Sequence, residues 1–318
     1  MTAFEPFEDF GDIDEIVERL NDADGGVRRL AVIDLAETAR QEVLPHLLAA
    51  TDDPDVTVRL QVALAFAEFD ASEAAGGLVK LVTDEDNSVA QAAADGLEEL
   101  KDPAAAGLIQ PLLDHRSAFV RAAAFRGLRA LRSPASLGPA LAAMRDEDPD
   151  VRAAALGVVA YLKLEETLPS LIGATRDPDA GVRAVAASAL SFSSQPAAAA
   201  AVAAALGDES WQVRMAAADS LGRLGQASAI DVLMAALSDE YWQVQQKSLI
   251  ALGKLKAQPA VPAISRLLQS EILALRKEAA AALGEIADPA ARDALMEHIS
   301  DADPDVRKTV HWALTRLG

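Results

Sequence analysis

The chain has 318 residues, with 49 acidic against 29 basic side chains and a net charge of −20, and it contains no cysteine. The lack of thiols excludes disulfides, iron–sulfur clusters, thiolate metal sites and cysteine nucleophiles. An acidic chain is a poor ligand for phosphate backbones, so we expect no nucleic-acid partner. The N-terminus lacks the pattern of a signal peptide, and no stretch approaches the ~20 apolar residues of a membrane span. We therefore expect a cytoplasmic protein with no membrane partner.

Residues 1–11 form an acidic extension in front of a series of repeats, and they include Phe4, Phe7 and Phe10. Two roles are open for these Phe side chains. They cover the exposed end of the first repeat, as terminal repeats require, or they form a docking peptide for another protein. The acidity continues as far as residue 100, with 24 acidic against 6 basic side chains in residues 1–100. This charge indicates either a solvated face or a dock for a basic partner.

From residue 12 onward the chain repeats every 31 residues, over nine intervals without an insertion or deletion. An apolar residue marks each repeat, and we number positions from it. These position-zero residues are Val27, Val58, Val89, Val120, Val151, Val182, Val213, Val244, Leu275 and Val306. A period of this length is typical of solenoids, in which each unit packs on its neighbours and the core extends in one dimension. We predict a single repeat domain over residues 12–318.

Each repeat has the pattern of two short helices joined by a turn. The first helix shows apolar residues at helical spacing, as in residues 43–50 and 230–237, and the second helix carries position zero. Four Asp-Pro pairs predict a capping acid with proline in the first turn of the second helix. They are Asp53-Pro54, Asp148-Pro149, Asp177-Pro178 and Asp303-Pro304. Helices of about ten residues are marginal alone, so stacking has to stabilise them.

Positions zero, four, eight and eleven of the second helix are apolar and predict its buried stripe. Two further columns are charged. An Asp lies five residues before position zero in eight repeats, at Asp22, Asp53, Asp84, Asp146, Asp177, Asp208, Asp239 and Asp301. An Arg follows position zero in eight repeats, at Arg28, Arg59, Arg121, Arg152, Arg183, Arg214, Arg276 and Arg307. We interpret these columns as a structural ladder of charge-assisted hydrogen bonds between repeats.

The pattern D-x-x-x-x-V-R-x-x-A-x-x-x-L-G is complete in residues 208–222 and partly kept in residues 239–253. It resembles the HEAT-like repeats of the phycobilisome-lyase type. The resemblance implies an all-α, right-handed α-solenoid (an α/α superhelix) of ten 31-residue helical hairpins, whose second helices line a concave face. The chain departs from the pattern at several positions: His115 replaces the Asp, Ala90 and Gln245 replace the Arg, and Ser270 with Leu275 makes the ninth repeat irregular.

In that arrangement, positions two, six and ten of the second helix, with the residues just before position zero, are free to bind a partner. We expect a protein partner in the groove, because aromatic, Met and Arg side chains are typical of interaction hot spots. Packing between repeats is the alternative role for the rings. The predicted partner-binding residues are Phe119, Arg126, Tyr161, Phe192, Trp211, Met215, Asp219, Arg223, Tyr241, Trp242, Gln246 and Lys254. The predicted acidic surface consists of Glu37, Glu68, Asp95 and Glu99.

No pattern indicates an enzyme, a metal site or a cofactor. The four His residues show no helical ligand spacing, and no glycine-rich phosphate loop or nucleophile elbow is present. We therefore predict a non-enzymatic scaffold, adaptor or assembly factor. Two alternatives stay open. One is a relative of the bilin lyases that stacks a linear tetrapyrrole on Tyr161, Phe192 and Trp211, or binds a phycobiliprotein. The other is a maturation chaperone for a metalloenzyme.

Overall fold

The computed structural model describes residues 13–69 and 72–317, and this part of the chain folds into helices and turns without a β-strand. The prediction of an all-α fold is confirmed. The predicted extension 1–11 lies outside the described residues. Within the described ranges, no helix combines the length and the apolar composition needed to cross a membrane.

The helices fall into two units, Met1–Leu162 and Lys163–Gly318, and each is described by itself. The helices of the first unit are α1 (Ile13–Arg19), α2 (Gly25–Glu37), α3 (Leu44–Ala49), α4 (Val56–Ala67), α5 (Ser72–Leu81), α6 (Asn87–Glu99), α7 (Ala106–Ile109), α8 (Ala118–Leu131), α9 (Leu137–Ala143) and α10 (Pro149–Leu162). Those of the second unit are α11 (Leu168–Ala174), α12 (Ala180–Ala189), α13 (Pro196–Ala205), α14 (Trp211–Leu224), α15 (Ile230–Ala236), α16 (Trp242–Lys254), α17 (Val261–Leu267), α18 (Leu273–Ile286), α19 (Arg292–Glu297) and α20 (Pro304–Arg316). One continuous solenoid over 12–318 stays a prediction.

Each repeat is a helical hairpin, with an odd-numbered first helix and an even-numbered second helix. The second helices pack side by side along each unit, from α2 to α10 in the first and from α12 to α20 in the second. Several first helices follow a 3-10 turn that begins at a proline, as in Pro103–Ala105 and Pro289–Ala291. Proline suits this place because the first N–H groups of a helix have no partner within it.

The second helices bury a wider arc than the predicted stripe. Position four is buried in every repeat, as predicted, but position eleven is only half-buried at Leu224 and Leu255. Position five, absent from the predicted stripe, is buried in nine repeats: Val32, Ala63, Ala94, Phe125, Leu156, Ala187, Ala218, Leu249 and Ala280. The helices approach closely, since a Cβ at Gly222 would lie 3.0 Å from the Cα of Ala251. Small side chains are therefore required where α14 meets α16.

The predicted ladder forms within both units. The Arg after position zero donates two hydrogen bonds to the Asp 25 residues further on; for example, Arg121 Nε and Nη2 lie 2.9 and 2.8 Å from the oxygens of Asp146. Arg121 also donates to the carbonyl oxygen of His115, in its own repeat, at 2.9 Å. The other rungs are Arg28–Asp53, Arg59–Asp84, Arg183–Asp208, Arg214–Asp239 and Arg276–Asp301. The planar guanidinium matches both carboxylate oxygens, so each rung restricts how adjacent repeats are oriented.

Two rungs of the pattern are replaced, and in each case both partners change together. Ala90 and His115 occupy the positions of one Arg–Asp pair, and Gln245 and Ser270 those of another. In the intact rungs the Asp side chains are at most 15% exposed. An Asp that lost its Arg there would be a poorly solvated carboxylate without a countercharge. Replacing both residues avoids this penalty.

Two of the four predicted Asp-Pro caps are wrong. Asp148 and Asp303 accept hydrogen bonds from the first turns of α10 and α20, as predicted. The capping side chain of α4 is instead Asp55, and that of α12 is Asp179. Asp53, the predicted cap, accepts hydrogen bonds from Arg28 in the ladder. The two aspartates of this turn therefore have different roles, one capping a helix and one joining two repeats.

The Arg121–Asp146 rung allows a direct test of this pairing. We expect Arg121→Gln to lower the free energy of unfolding by about 2 kcal/mol, because Asp146 keeps its charge and loses two charge-assisted hydrogen bonds. Adding Asp146→Ser reproduces the natural Gln245–Ser270 combination and should recover part of the loss. Urea unfolding followed by circular dichroism measures both effects. Arg129→Gln, which breaks only the exposed pair with Glu98, serves as control, with a loss below about 1 kcal/mol.

The ladder carboxyls have pKa values below the usual range. For Asp53, burial by itself raises the pKa, but hydrogen bonds from Arg28 and from the Asp55 amide more than cancel this effect. The same kinds of contact lower the pKa of the remaining ladder carboxyls, Asp84, Asp146, Asp208, Asp239 and Asp301. A carboxyl with a lowered folded-state pKa stabilises the fold above its unfolded pKa, and this contribution is lost as the pH falls through the folded value.

We therefore expect the urea midpoint to fall as the pH is lowered from about 5 towards 3. Unfolded Asp takes up its proton near about pH 3.9, whereas the ladder carboxylates do so only at lower pH. The Arg121→Gln/Asp146→Ser variant lacks one rung and should lose less stability over the same pH range. Identical pH profiles for the variant and the wild type would show that this rung does not contribute.

Candidate functional site

Two aromatic rings on neighbouring repeats of the second unit are stacked. The ring centroids of Trp211 and Tyr241 lie 5.4 Å apart, and their planes are inclined by 14°. Aromatic pairs are attractive at this distance. The spacing of one period predicts Trp242 as the neighbour of Trp211, but the ring that stacks on Trp211 belongs to the preceding residue.

A ladder rung positions Tyr241. The amide of Tyr241 donates to Asp239 Oδ1 at 2.9 Å, and Asp239 is the carboxylate held by Arg214. The guanidinium carbon of Arg214 lies 5.7 Å from the centroid of the Tyr241 ring, within the range of a cation–π interaction. Arginine is always charged in proteins, and the hydrogen bond to Asp239 raises the pKa of Arg214 further. The same rung fixes both the backbone and the ring of Tyr241.

Exposed apolar side chains extend from this ring pair over three consecutive repeats. Tyr241 and Trp242 are each 38% exposed, and Ile272 and Leu273, one period further on, are 39% and 44% exposed. Trp211 is half-buried. We call these five residues the apolar ridge. Ile272 and Leu273 are missing from the predicted site, although they occupy the same columns of the repeat as Tyr241 and Trp242, and a comparison of these columns would have found them.

Two residues of the apolar ridge occupy positions at which most other repeats have a capping residue. In six other repeats an aspartate at this position accepts a hydrogen bond from the first turn of the second helix: Asp24, Asp55, Asp86, Asp148, Asp179 and Asp303. The remaining two repeats have Ser117 and Ser210 there, whose side chains form no cap. Tyr241 and Ile272 stand at the same position and give α16 and α18 no side-chain cap. The loss of a capping side chain costs about 1 kcal/mol. The ridge thus combines exposed apolar surface with lower local stability, and departures from local rules of this kind concentrate at functional sites.

Two of the three predicted charged residues of this unit, Asp219 and Arg223, pair with each other. Asp219 lies 3.0 Å from Arg223 and 3.2 Å from Lys247, a residue that the predicted site does not include. These side chains are 29–47% exposed, so solvent screens their attraction. A partner can therefore exchange contacts with them at small cost. The remaining predicted residues of the unit are half-buried or exposed: Phe192, Met215, Gln246 and Lys254.

Three predicted partner-binding residues belong to the first unit. Tyr161 is 39% exposed, and the guanidinium carbon of Arg132 lies 4.9 Å from its ring centroid. Phe119, in the first turn of α8, is 36% exposed. Arg126 lies 3.9 Å from Glu98. The rings of this unit are accessible, and each of the two cations has a partner within its own unit.

The predicted acidic surface is exposed. Glu37, Glu68 and Glu99 lie at the ends of α2, α4 and α6, and Asp95 lies about one turn before Glu99. Asp95 Oδ1 accepts a hydrogen bond from Gln91 at 2.7 Å. Docking of a basic partner on this surface stays a prediction. In the part of the chain that the structure describes, no group of three or more His, Asp and Glu side chains could hold a metal ion.

The stacked hairpins and the recurring rungs define an all-helical repeat protein. The profile of HEAT repeats matches residues 13–94, 76–145, 137–209, 193–246 and 230–315. The chain therefore belongs to the HEAT-repeat family. The finer resemblance to phycobilisome-lyase repeats rests on the sequence pattern alone. A comparison with curated proteins finds no match.

Solved structures share the fold at low sequence identity. A crystal structure of an engineered protein gives a TM-score of 0.50 at 20% identity and covers 96% of this chain and 98% of the other. A triple mutant of Kap121p gives 0.59 at 14% identity, over 99% of this chain and 42% of the other. A third structure shows that Kap95p binding induces the switch loops of RanGDP to adopt the GTP-bound conformation. One of its chains gives a TM-score of 0.56 at 15% identity and covers 96% of this chain and 48% of the other. This chain thus spans less than half of the latter two.

The missing caps predict an unusual gain of stability. We expect Ile272→Asn to raise the free energy of unfolding by up to about 1 kcal/mol, because Asn caps helices well. Tyr241→Asn should be nearly neutral, since the new cap offsets a lost ring stacking of about 1 kcal/mol. Met296→Asn replaces another exposed apolar residue, 48% exposed in the last turn of α19, where it cannot act as an N-cap, and should change little. Urea unfolding of the three variants measures these changes. A loss of stability in Ile272→Asn would contradict the capping argument.

Proposed function

We propose that this HEAT-repeat chain is a non-enzymatic scaffold, adaptor or assembly factor that holds a protein partner against its second helices. The observation that carries the proposal is the stacked pair of Trp211 and Tyr241 with the exposed Trp242 beside it. Only 4% of the residues are aromatic, and the interior is filled by Ala, Val and Leu. Rings grouped on the surface of such a chain have the composition of an interaction hot spot.

The rigidity of the ring pair supports this function. Trp211 and Tyr241 are held by stacking, and Tyr241 is also held by the Arg214–Asp239 rung. Side chains fixed before binding lose little conformational entropy when a partner arrives. Kap95p, a structural neighbour at 15% identity, binds RanGDP, which gives a precedent for protein binding by this fold.

A bilin is the second candidate ligand, on the basis of the phycobilisome-lyase-like motif of residues 208–222. The stacked rings are suited to a planar conjugated molecule. A spectrophotometric titration with a linear tetrapyrrole separates the two candidates. A saturating red shift favours the bilin, and a flat response removes it.

We expect the Trp211→Ala/Trp242→Ala/Arg223→Ala variant to retain about a tenth or less of its native partner, because hot-spot residues dominate binding free energy. Affinity purification from native extract with quantitative mass spectrometry measures the retained partner. Met296→Ala is the matched control for loss of an exposed apolar side chain, and circular dichroism confirms folding of both. If every partner is captured equally by the triple variant and the wild type, the site assignment is wrong.

A further inference from the structure

The apolar ridge is confined to repeats seven to nine. Two residues before position zero, these repeats carry Trp211, Trp242 and Leu273. The other repeats carry smaller side chains at that position: Gly25, Val56, Asn87, Ala118, Pro149, Ala180 and Pro304. One position earlier, repeats eight and nine carry Tyr241 and Ile272 instead of Asp or Ser. Large apolar side chains therefore form a row across three adjacent helix starts within the second unit.

A row of glutamates runs beside the ridge. Glu209, Glu240 and Glu271 stand four residues before position zero in the same three repeats. The side chains of Glu209 and Glu240 are 87% and 76% exposed, and Glu271 is exposed as well. Glu209 and Glu240 lie 3.3 and 3.6 Å from Arg183 and Arg214. Each of these arginines also pairs with a ladder aspartate, so two carboxylates share one guanidinium. The solvent-facing charge beside the apolar side chains is therefore negative, which favours a cationic ligand.

We propose that the apolar ridge and the glutamates beside it bind an extended, basic segment of the partner protein. This segment has an apolar residue at every third position, with Lys or Arg between. The inference rests on the proposed function, and it specifies the partner's chemistry. Packed helices lie about 8–10 Å apart, and three residues of polyproline II span about 9 Å. Apolar side chains of the segment at that spacing contact the ridge residues of successive repeats. The basic side chains between them pair with the glutamates.

The probe is a fluorescein-labelled peptide of about nine residues, with Leu at every third position and Lys and Pro between, and the readout is fluorescence anisotropy with the full chain. We expect the wild type to bind it at least about tenfold more tightly than the same peptide with Glu in place of Lys. Tyr241→Asn/Ile272→Asn should weaken binding by about tenfold or more without loss of fold, because both substitutions add helix caps. The control Met296→Asn should bind as the wild type does.

Charge is tested separately. Glu240→Gln/Glu271→Gln should weaken binding and reduce its dependence on salt, because two of the attracting charges are removed. Equal affinity for the basic and acidic peptides, no binding of the basic peptide, or unchanged binding by Tyr241→Asn/Ile272→Asn overturns the proposal. If the peptide does not bind while the Trp211, Trp242 and Arg223 substitutions still abolish partner capture, the ridge binds the partner but the proposed basic, extended segment is wrong. If those substitutions leave capture unchanged, the site assigned under the proposed function is wrong as well.

Discussion

A bidentate contact between an Arg and the Asp 25 residues further on governs how neighbouring repeats meet in each unit. In Arg214–Asp239 the two bonds measure 2.7 and 3.0 Å, and the same guanidinium reaches the backbone of its own repeat at Asp208. The Asp in turn accepts a hydrogen bond from the backbone amide two residues further on. One rung therefore connects two turns and the start of a helix, and an insertion between its partners would disrupt all of these contacts. This is a physical reason for a constant period of 31 residues.

Close packing of the second helices restricts where large side chains can be placed. Position four is buried in every repeat and is mostly Ala, and Gly222 lies against the backbone of Ala251. A ring at such a place would separate the helices. The edge next to the ladder has no such limit, and Trp211, Tyr241 and Trp242 lie there. Close packing of the second helices thus excludes large rings between them, and the aromatic side chains of the proposed site lie at the helix starts instead.

The proposed site depends on the ladder and departs from the pattern of the repeats. Tyr241 takes its backbone position from Asp239, yet it replaces the residue that caps the helix in most other repeats. The ninth repeat, irregular in sequence, carries the same departure at Ile272. In this region the Arg214–Asp239 rung between repeats seven and eight is kept, whereas Gln245 and Ser270 replace the rung between repeats eight and nine. Tyr241 is therefore held in place, but the missing caps make the region locally less stable. Such regions are suited to binding, because a partner can supply part of the missing stability.

The sequence by itself determined the repeat length, the all-helical class, the buried position four and the partners of the ladder, because a period without insertions places equivalent residues in equivalent environments. It did not determine the wider buried arc, the cap at Asp55 instead of Asp53, the stacking of Trp211 on Tyr241, or the pairing of Asp219 with both Arg223 and Lys247. These features depend on which side chains meet between adjacent repeats. Spacing along the chain specifies the repeat and the face of a residue, whereas the packing of two neighbouring helices decides its partner.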